Sequence, residues 1–191
     1  ITAMAQAVLE QFDGELVLCG ASMGGMVAME ATRLAPSRVR ALALLGTVAH
    51  PETPEMRQLR SDAIVLFEQG RSEEIIRANV PLAFHPDHAS DPVLTGRYLS
   101  MVLDAGAETL IRHNRAVMAR PDARAHLGQI ACPTLVLCGE ADQLTPPEHS
   151  RAIAVAIPGA RLALVPGAGH MLTMEQPQRV NTLLREWMAA L

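Results

Sequence analysis

A serine between two glycines is the residue with the clearest capacity for chemistry. Ser22 lies in Gly20-Ala21-Ser22-Met23-Gly24, directly after an apolar run and directly before a helical pattern. At a sharp turn from strand to helix, a serine projects its hydroxyl into a cleft, and small neighbours let strand and helix approach closely. We therefore predict that Ser22 is a nucleophile and that Gly20 and Gly24 supply the clearance. The alternative is that Ser22 only caps a helix.

A nucleophilic serine needs a base, and the base needs an acid that orients it. The best acid is Asp142, which follows an apolar run and a Gly turn. The best base is His170, which lies in a Gly-rich loop after the next apolar run. Because parallel strands end at a common edge of their sheet, we expect both residues to lie beside Ser22. Glu140 is the alternative acid, but it lies nearer the end of its strand.

The residues predicted to contact the substrate and its transition state are neighbours of Ser22, Asp142 and His170 in the sequence. The backbone N–H of Met23, at a helix N-terminus, faces the developing oxyanion. Met23, Leu144 and Met171 are the predicted substrate contacts.

Other polar residues have simpler explanations. His149 falls in a predicted helix and is expected at the surface. His85 and His88 have a His-x-x-His spacing but no third ligand nearby, so we predict loop histidines and no metal site. The Arg-rich stretch from Arg112 to Arg124 is expected to be a solvated face.

The pattern of apolar runs predicts an α/β fold with a parallel sheet, because the runs are apolar throughout and alternate with helices. The predicted strands are Leu16–Cys19, Val39–Leu45, Thr134–Cys138 and Arg161–Val165. The helices expected between and around them are Thr2–Phe12, Met23–Ala35, Pro147–Ala156 (with Thr145 as its N-cap) and Gln178–Ala190.

A long stretch between the second and third predicted strands breaks this alternation. It contains four amphipathic patterns: Glu55–Gln69, Glu73–Val80, Val93–Ala105 and Glu108–Ala119. An insertion of this size predicts a helical lid over one edge of the sheet. We therefore divide the chain into a core of residues 1–49 and 128–191 and a lid of residues 50–127.

Composition excludes several classes of protein. The chain is 49% hydrophobic, which allows a sizeable core, and its net charge of −4 with 3% aromatic residues argues against nucleic-acid binding. All 16 basic residues are Arg, so the P-loop lysine, a Schiff base and the Tyr-x-x-x-Lys pair of dehydrogenases are excluded. Three isolated cysteines and no membrane-length apolar run predict a reduced, cytoplasmic setting.

Three segments together resemble the α/β-hydrolase superfamily, most closely its small lidded bacterial esterases, enol-lactonases and perhydrolases. They are Gly20–Gly25, Gly139–Asp142 and Pro166–Met171. The resemblance implies that Ser22, Asp142 and His170 form a catalytic triad that cleaves a carboxylic ester or lactone through an acyl-enzyme, without cofactor or metal. It leaves open a C–C bond hydrolase or perhydrolase with the same triad, and a non-catalytic protein that binds a ligand on this fold.

The chain departs from the superfamily before Ser22. Members carry several strands there, together with a His-Gly loop that supplies a second oxyanion donor. Here only about 21 residues precede Ser22, so we expect the first four strands and that donor to be missing. The predicted strand Leu16–Cys19 would then present an apolar edge that could pair with a second copy or another chain.

Overall fold

Four apolar segments form one parallel sheet with strand order β1-β2-β3-β4. In the computed structural model, which describes residues 1–191, the strands are β1 (Leu16–Ala21), β2 (Val39–Leu45), β3 (Thr134–Gly139) and β4 (Arg161–Val165). The bounds of β2 and β4 are those predicted, whereas β1 and β3 run two and one residues further. The predicted fold class, an α/β fold with a parallel sheet, is confirmed.

Burial differs between the inner and outer strands. Every residue of β3 is buried, and in β2 only Arg40 is exposed. In β1, however, partly buried and exposed positions alternate, only Gly20 is buried, and Val17 is 48% exposed. This strand hydrogen-bonds only to β2 and therefore lies at the edge of the sheet. The expectation of strands covered on both faces thus holds for the two inner strands but is wrong for β1.

Helices cover the two faces of the sheet. They are α2 (Met23–Leu34), α8 (Pro147–Ala156), α9 (Leu172–Glu175) and α10 (Pro177–Met188), while α1 (Thr2–Gln11) packs against α2. One face packs against the Trp187 and Leu183 side chains of α10, and the other against Met29 of α2 and Ile153 of α8. The sequence did not predict the single turn α9. None of the helices has the length and hydropathy needed to span a membrane.

The segment between β2 and β3 is helical, as predicted. Its helices are α3 (Pro54–Glu68), α4 (Ser72–Ala83), α5 (Pro92–Leu103), α6 (Ala107–Met118) and α7 (Arg124–Leu127). We call residues 50–127 the insertion. Its helices enclose an apolar cluster of their own around Phe67, Phe84 and Tyr98, with the Phe84 and Tyr98 rings in edge-to-face contact. The insertion is therefore a packed layer with its own core.

A buried ion pair joins the two ends of the insertion. Arg120 donates to both oxygens of Glu52, at 2.8 and 3.1 Å, and the two side chains are 4% and 3% exposed. Arg120 also donates to the His50 carbonyl. The expectation of a solvated face holds for Arg112 and other arginines of this stretch but is wrong for Arg120, because this guanidinium joins the segments that enter and leave the insertion.

Candidate active site

Ser22 occupies the sharp turn between β1 and α2. It is the only residue other than glycine with a positive φ, at φ 51° and ψ −116°. Such a conformation is costly and persists only where neighbouring bonds enforce it. Here the Ser22 N–H donates to the Leu45 carbonyl at 2.8 Å, and the Thr47 hydroxyl donates to the Ser22 carbonyl at 2.7 Å. The end of β2 therefore holds the turn in place.

The glycines around Ser22 differ in what they permit. A Cβ on Gly20 would lie 2.3 Å from the Gly24 carbonyl oxygen, so strand and helix approach closely at this point, as predicted. A Cβ on Gly24 would meet nothing within 4 Å, so the clearance predicted for this residue is wrong. It is Gly25 that lies against a neighbour, because its Cβ would lie 2.7 Å from the Thr47 side chain.

Asp142 and His170 meet at the carboxyl edge of the sheet. Asp142 Oδ2 lies 2.9 Å from His170 Nδ1, and the aspartate side chain is fully buried. Asp142 Oδ1 accepts from the N–H groups of Leu144 and Thr145, and Oδ2 accepts from the Thr145 hydroxyl. Burial raises the pKa of Asp142. The hydrogen bond and charge of His170, together with hydrogen bonds from Thr145, outweigh burial and hold the pKa below its usual value. The aspartate is therefore an ionised partner for His170.

Close contact between two loops brings this pair together. The Ala141 N–H donates to the Ala168 carbonyl at 3.0 Å, which continues the pairing of β3 with β4 beyond the strands. A Cβ on Gly139 would lie 2.1 Å from the Gly169 oxygen, so only glycine fits there. Glu140, the alternative acid, is exposed and has no hydrogen bond to His170.

The Ser22 hydroxyl is not hydrogen-bonded to the pair formed by Asp142 and His170. No hydrogen bond links the Ser22 hydroxyl to His170, whose Nε2 is the ring nitrogen not engaged by Asp142. In unliganded sites such bonds are often long and tighten only when substrate binds. Met23 is the first residue of α2, so its N–H has no acceptor within the helix.

The residues predicted to contact substrate lie in three different settings. Met23 packs beside Val48 and Val117, where α2 meets the insertion. Leu144 is exposed beside Asp142. Met171 packs against the apolar cluster of the insertion, and its N–H donates to the Ala83 carbonyl at 3.0 Å.

The remaining histidines form no metal site. No group of three or more His, Cys, Asp or Glu side chains is arranged to hold a metal ion. His85 and His88 lie in a turn, as predicted, with ring centroids 5.8 Å apart. His149 is half-buried, with its ring centroid 4.7 Å from that of His50, so the expected surface position is wrong. Burial and the neighbouring His50 lower the pKa of His149.

Sequence reasoning missed three residues whose hydrogen bonds lie at or beside the candidate site. Thr145 binds Asp142 and also lies 3.2 Å from His170 Nδ1, and the cap position of α8 is taken by Pro146 instead. The prediction of Thr145 as the helix cap is therefore wrong. An Asp three residues before a Thr is a local turn signal that could have found this contact. Thr47 and Glu175 carry no comparable local signal.

This geometry agrees with the comparison with known protein families. A family model described as "Alpha/beta hydrolase family" matches residues 2–183. The chain belongs to the alpha/beta hydrolase family. The resemblance drawn from the three sequence segments is thereby confirmed.

Named relatives within the family are esterases and hydrolases. A thermophilic esterase from Thermogutta terrifontis superposes with a TM-score of 0.92 at 32% identity, covering 99% of this chain and 72% of that one. A pimeloyl-[acyl-carrier protein] methyl ester esterase from Aromatoleum aromaticum is 28% identical over 97% of this chain and 79% of its own length. A protein from Klebsiella pneumoniae, provisionally named a carbamate hydrolase, is 29% identical over 91% of this chain and 66% of its own length. The chain thus spans about two thirds to four fifths of these relatives.

Proposed function

We propose that this protein is a serine hydrolase that cleaves a carboxylic ester or lactone, with Ser22 as nucleophile, His170 as general base and Asp142 as the acid that orients it. The observation that carries the proposal is the 2.9 Å contact between Asp142 and His170 at the sheet edge where Ser22 adopts its strained turn. The names of the relatives support it, because two are esterases and the third acts by name on a carbamate, which also has an acyl carbon.

In the proposed reaction, His170 Nε2 takes the proton of the Ser22 hydroxyl as the oxygen attacks the substrate carbonyl. Asp142 stabilises the imidazolium that forms and fixes the tautomer that leaves Nε2 free. The Met23 N–H, at the N-terminus of α2, donates to the oxyanion of the tetrahedral intermediate. The intermediate collapses to an acyl-enzyme as the alcohol leaves with the proton. Water activated by His170 then releases the acid and regenerates the serine.

The insertion is proposed to act as a lid, as the sequence predicts for residues 50–127. Its apolar cluster includes Met171, the neighbour of the proposed base, and another apolar group joins Val117 to Met23, the neighbour of the proposed nucleophile. Side chains from the insertion therefore reach both ends of the proposed site. An apolar acyl or alcohol group is the substrate portion that such a surface favours.

The test is the reaction with a fluorophosphonate probe, in which the serine oxygen displaces fluoride from phosphorus. Intact mass and peptide mapping would locate the adduct without any assumption about the substrate. We expect a single adduct on Ser22 in the parent chain and none in Ser22→Ala. The Asp142→Asn variant is expected to react more slowly by a factor of roughly 10⁴.

Two outcomes would contradict the proposal. A folded parent chain that gains no adduct would show that this chain does not assemble a reactive serine. An adduct on a serine other than Ser22 would assign the chemistry to another site. If Ser22 is labelled, turnover of aryl esters compared with vinylogous diketones by the unlabelled protein would separate ester hydrolysis from C–C bond hydrolysis.

A further inference from the structure

Glu175 is a buried carboxylate on which two distant loops converge. Its side chain is 0% exposed. Oε1 accepts from the Gly169 N–H at 2.8 Å, whereas Oε2 accepts from the His85 N–H at 2.7 Å and lies 3.1 Å from His88 Nδ1. Gly169 directly precedes His170, and the two histidines belong to the turn that follows α4 in the insertion. The carboxylate therefore joins the loop of the proposed base to the insertion.

A second set of contacts fixes the other side of His170 to the same turn. The Met171 N–H donates to the Ala83 carbonyl at 3.0 Å, at the end of α4. A Cβ on Gly169 would lie 2.7 Å from the backbone of Phe84 and His85, so the two backbones are in direct contact. Phe84 itself is fully buried. Both chain neighbours of His170 are thus bound to the insertion.

The charge of Glu175 suits this arrangement. A buried carboxylate loses its hydration and persists only when hydrogen bonds replace it. Here donors occupy both oxygens, and no arginine contributes a hydrogen bond. An amide in the same place would offer one acceptor and turn its NH₂ group towards a donor. A glutamine could therefore not accept from the Gly169 and His85 N–H groups with both of its terminal atoms, as the carboxylate does.

We propose that Glu175 is a positioning residue for His170, which clamps the turn of His85 and His88 in the insertion against the loop that carries the base. The orientation of the imidazole then depends on how the insertion docks. The inference rests on the proposed function in that it takes His170 as the general base. Glu175 does not reach the reacting atoms and acts through the backbone of Gly169.

The central variant is Glu175→Gln, and the matched control is Glu186→Gln. Glu186 lies exposed on α10 with no side-chain hydrogen bond, so its substitution removes the same charge without breaking a contact. Three quantities are measured in the full chain: the labelling rate of Ser22 by the fluorophosphonate, the downfield proton resonance of His170 Nδ1, and hydrogen exchange at the amides of Gly169 and His85.

We expect Glu175→Gln to label about 10²-fold more slowly, because a displacement of about 1 Å between reacting groups costs that much. The His170 resonance should broaden or disappear, and exchange should accelerate at Gly169 and His85 while the strands stay protected. His88→Leu removes the side-chain contact of the insertion with Glu175 and leaves the bond from the His85 N–H in place. It should slow labelling several-fold and accelerate exchange at His85, which keeps the inference testable if Glu175→Gln does not fold.

Some results would overturn the inference. A folded Glu175→Gln variant with the parent's labelling rate and His170 resonance would show that Glu175 does not position the base. Exchange that accelerates uniformly over the whole chain would make Glu175 a stability residue only. If the parent chain itself is not labelled, the proposed function fails, whereas the His170 resonance and the two amides still report on the clamp.

Discussion

The two glycines that flank Ser22 make a matched pair for testing the turn. An alanine methyl at position 20 would lie 2.3 Å from the Gly24 carbonyl oxygen and 2.6 Å from the Gly25 nitrogen, whereas ordinary contacts begin near 3.4 Å. All the close atoms are backbone, so no side chain can rotate away. The end of β1 and the start of α2 must therefore separate by about 1 Å, which moves Ser22 relative to His170.

The expected magnitudes follow from that displacement. Overpacking of this kind costs about 1–3 kcal/mol in the free energy of unfolding, and a nucleophile displaced by about 1 Å reacts about 10²-fold more slowly. Gly24→Ala should behave in the opposite way, because its methyl meets nothing within 4 Å. Alanine also favours a helix by up to about 1 kcal/mol relative to glycine.

The assay combines urea unfolding with the rate of fluorophosphonate labelling at Ser22. We expect Gly20→Ala to lose both stability and reactivity, and Gly24→Ala to keep the parent's labelling rate within a few-fold while unfolding at a slightly higher urea concentration. The reasoning is refuted if Gly20→Ala matches the parent in both measurements. It is also refuted if Gly24→Ala loses as much stability and reactivity as Gly20→Ala, because the space around a Gly24 methyl would then not explain the difference between the two positions.

Two further predictions concern buried charges. The pKa of Asp142 is lower in the folded state than its usual 3.8, so its contribution to stability is present above about pH 4 and is lost as the pH falls through the folded value. In Asp142→Asn, the free energy of unfolding measured with urea should therefore fall less steeply with decreasing pH. An unchanged dependence on pH would contradict the direction of the pKa shift. Glu52→Gln leaves the buried Arg120 without its carboxylate and should lower the free energy of unfolding by about 3–5 kcal/mol. The control Glu73→Gln loses only an exposed ion pair with Arg77 and should lower it by at most about 1 kcal/mol. Equal losses in the two variants would contradict the role of burial.

The sequence alone predicted the elements with strong local patterns. Strands β2 and β4 and helix α8 have the predicted bounds, because their apolar runs end at turn residues or prolines. Helix α9 was missed because a single turn carries too little periodicity to be seen. The exposed alternation in β1 was also missed, since its sequence is as apolar as that of the buried strands.

Some residues of the candidate site could likewise be predicted from local sequence, and others could not. Ser22, Asp142 and His170 could be predicted because each follows a strand, and the ends of parallel strands converge. Thr47, Arg120 and the clamp at Glu175 could not, because each depends on a partner distant in the sequence. The contact of Glu175 with His85 joins residues separated by 90 positions, and no local pattern encodes such a pairing. The roles of Ser22, Asp142, His170 and Glu175 remain predictions that the labelling experiments test.

The place of Asp142 and His170 in the chain has a consequence for the order in which the molecule folds. Both residues lie in or beside one unit, β3-α8-β4, whose strands pair across a short connection. Ser22 reaches them only when β2 pairs with β3, which must first close the loop formed by the whole insertion. Closing a longer loop costs more entropy, so we expect the acid and base to assemble before the nucleophile joins them. Pulsed hydrogen exchange during refolding would show this as protection of β3 and β4 ahead of β1, and simultaneous protection of all four strands would exclude it.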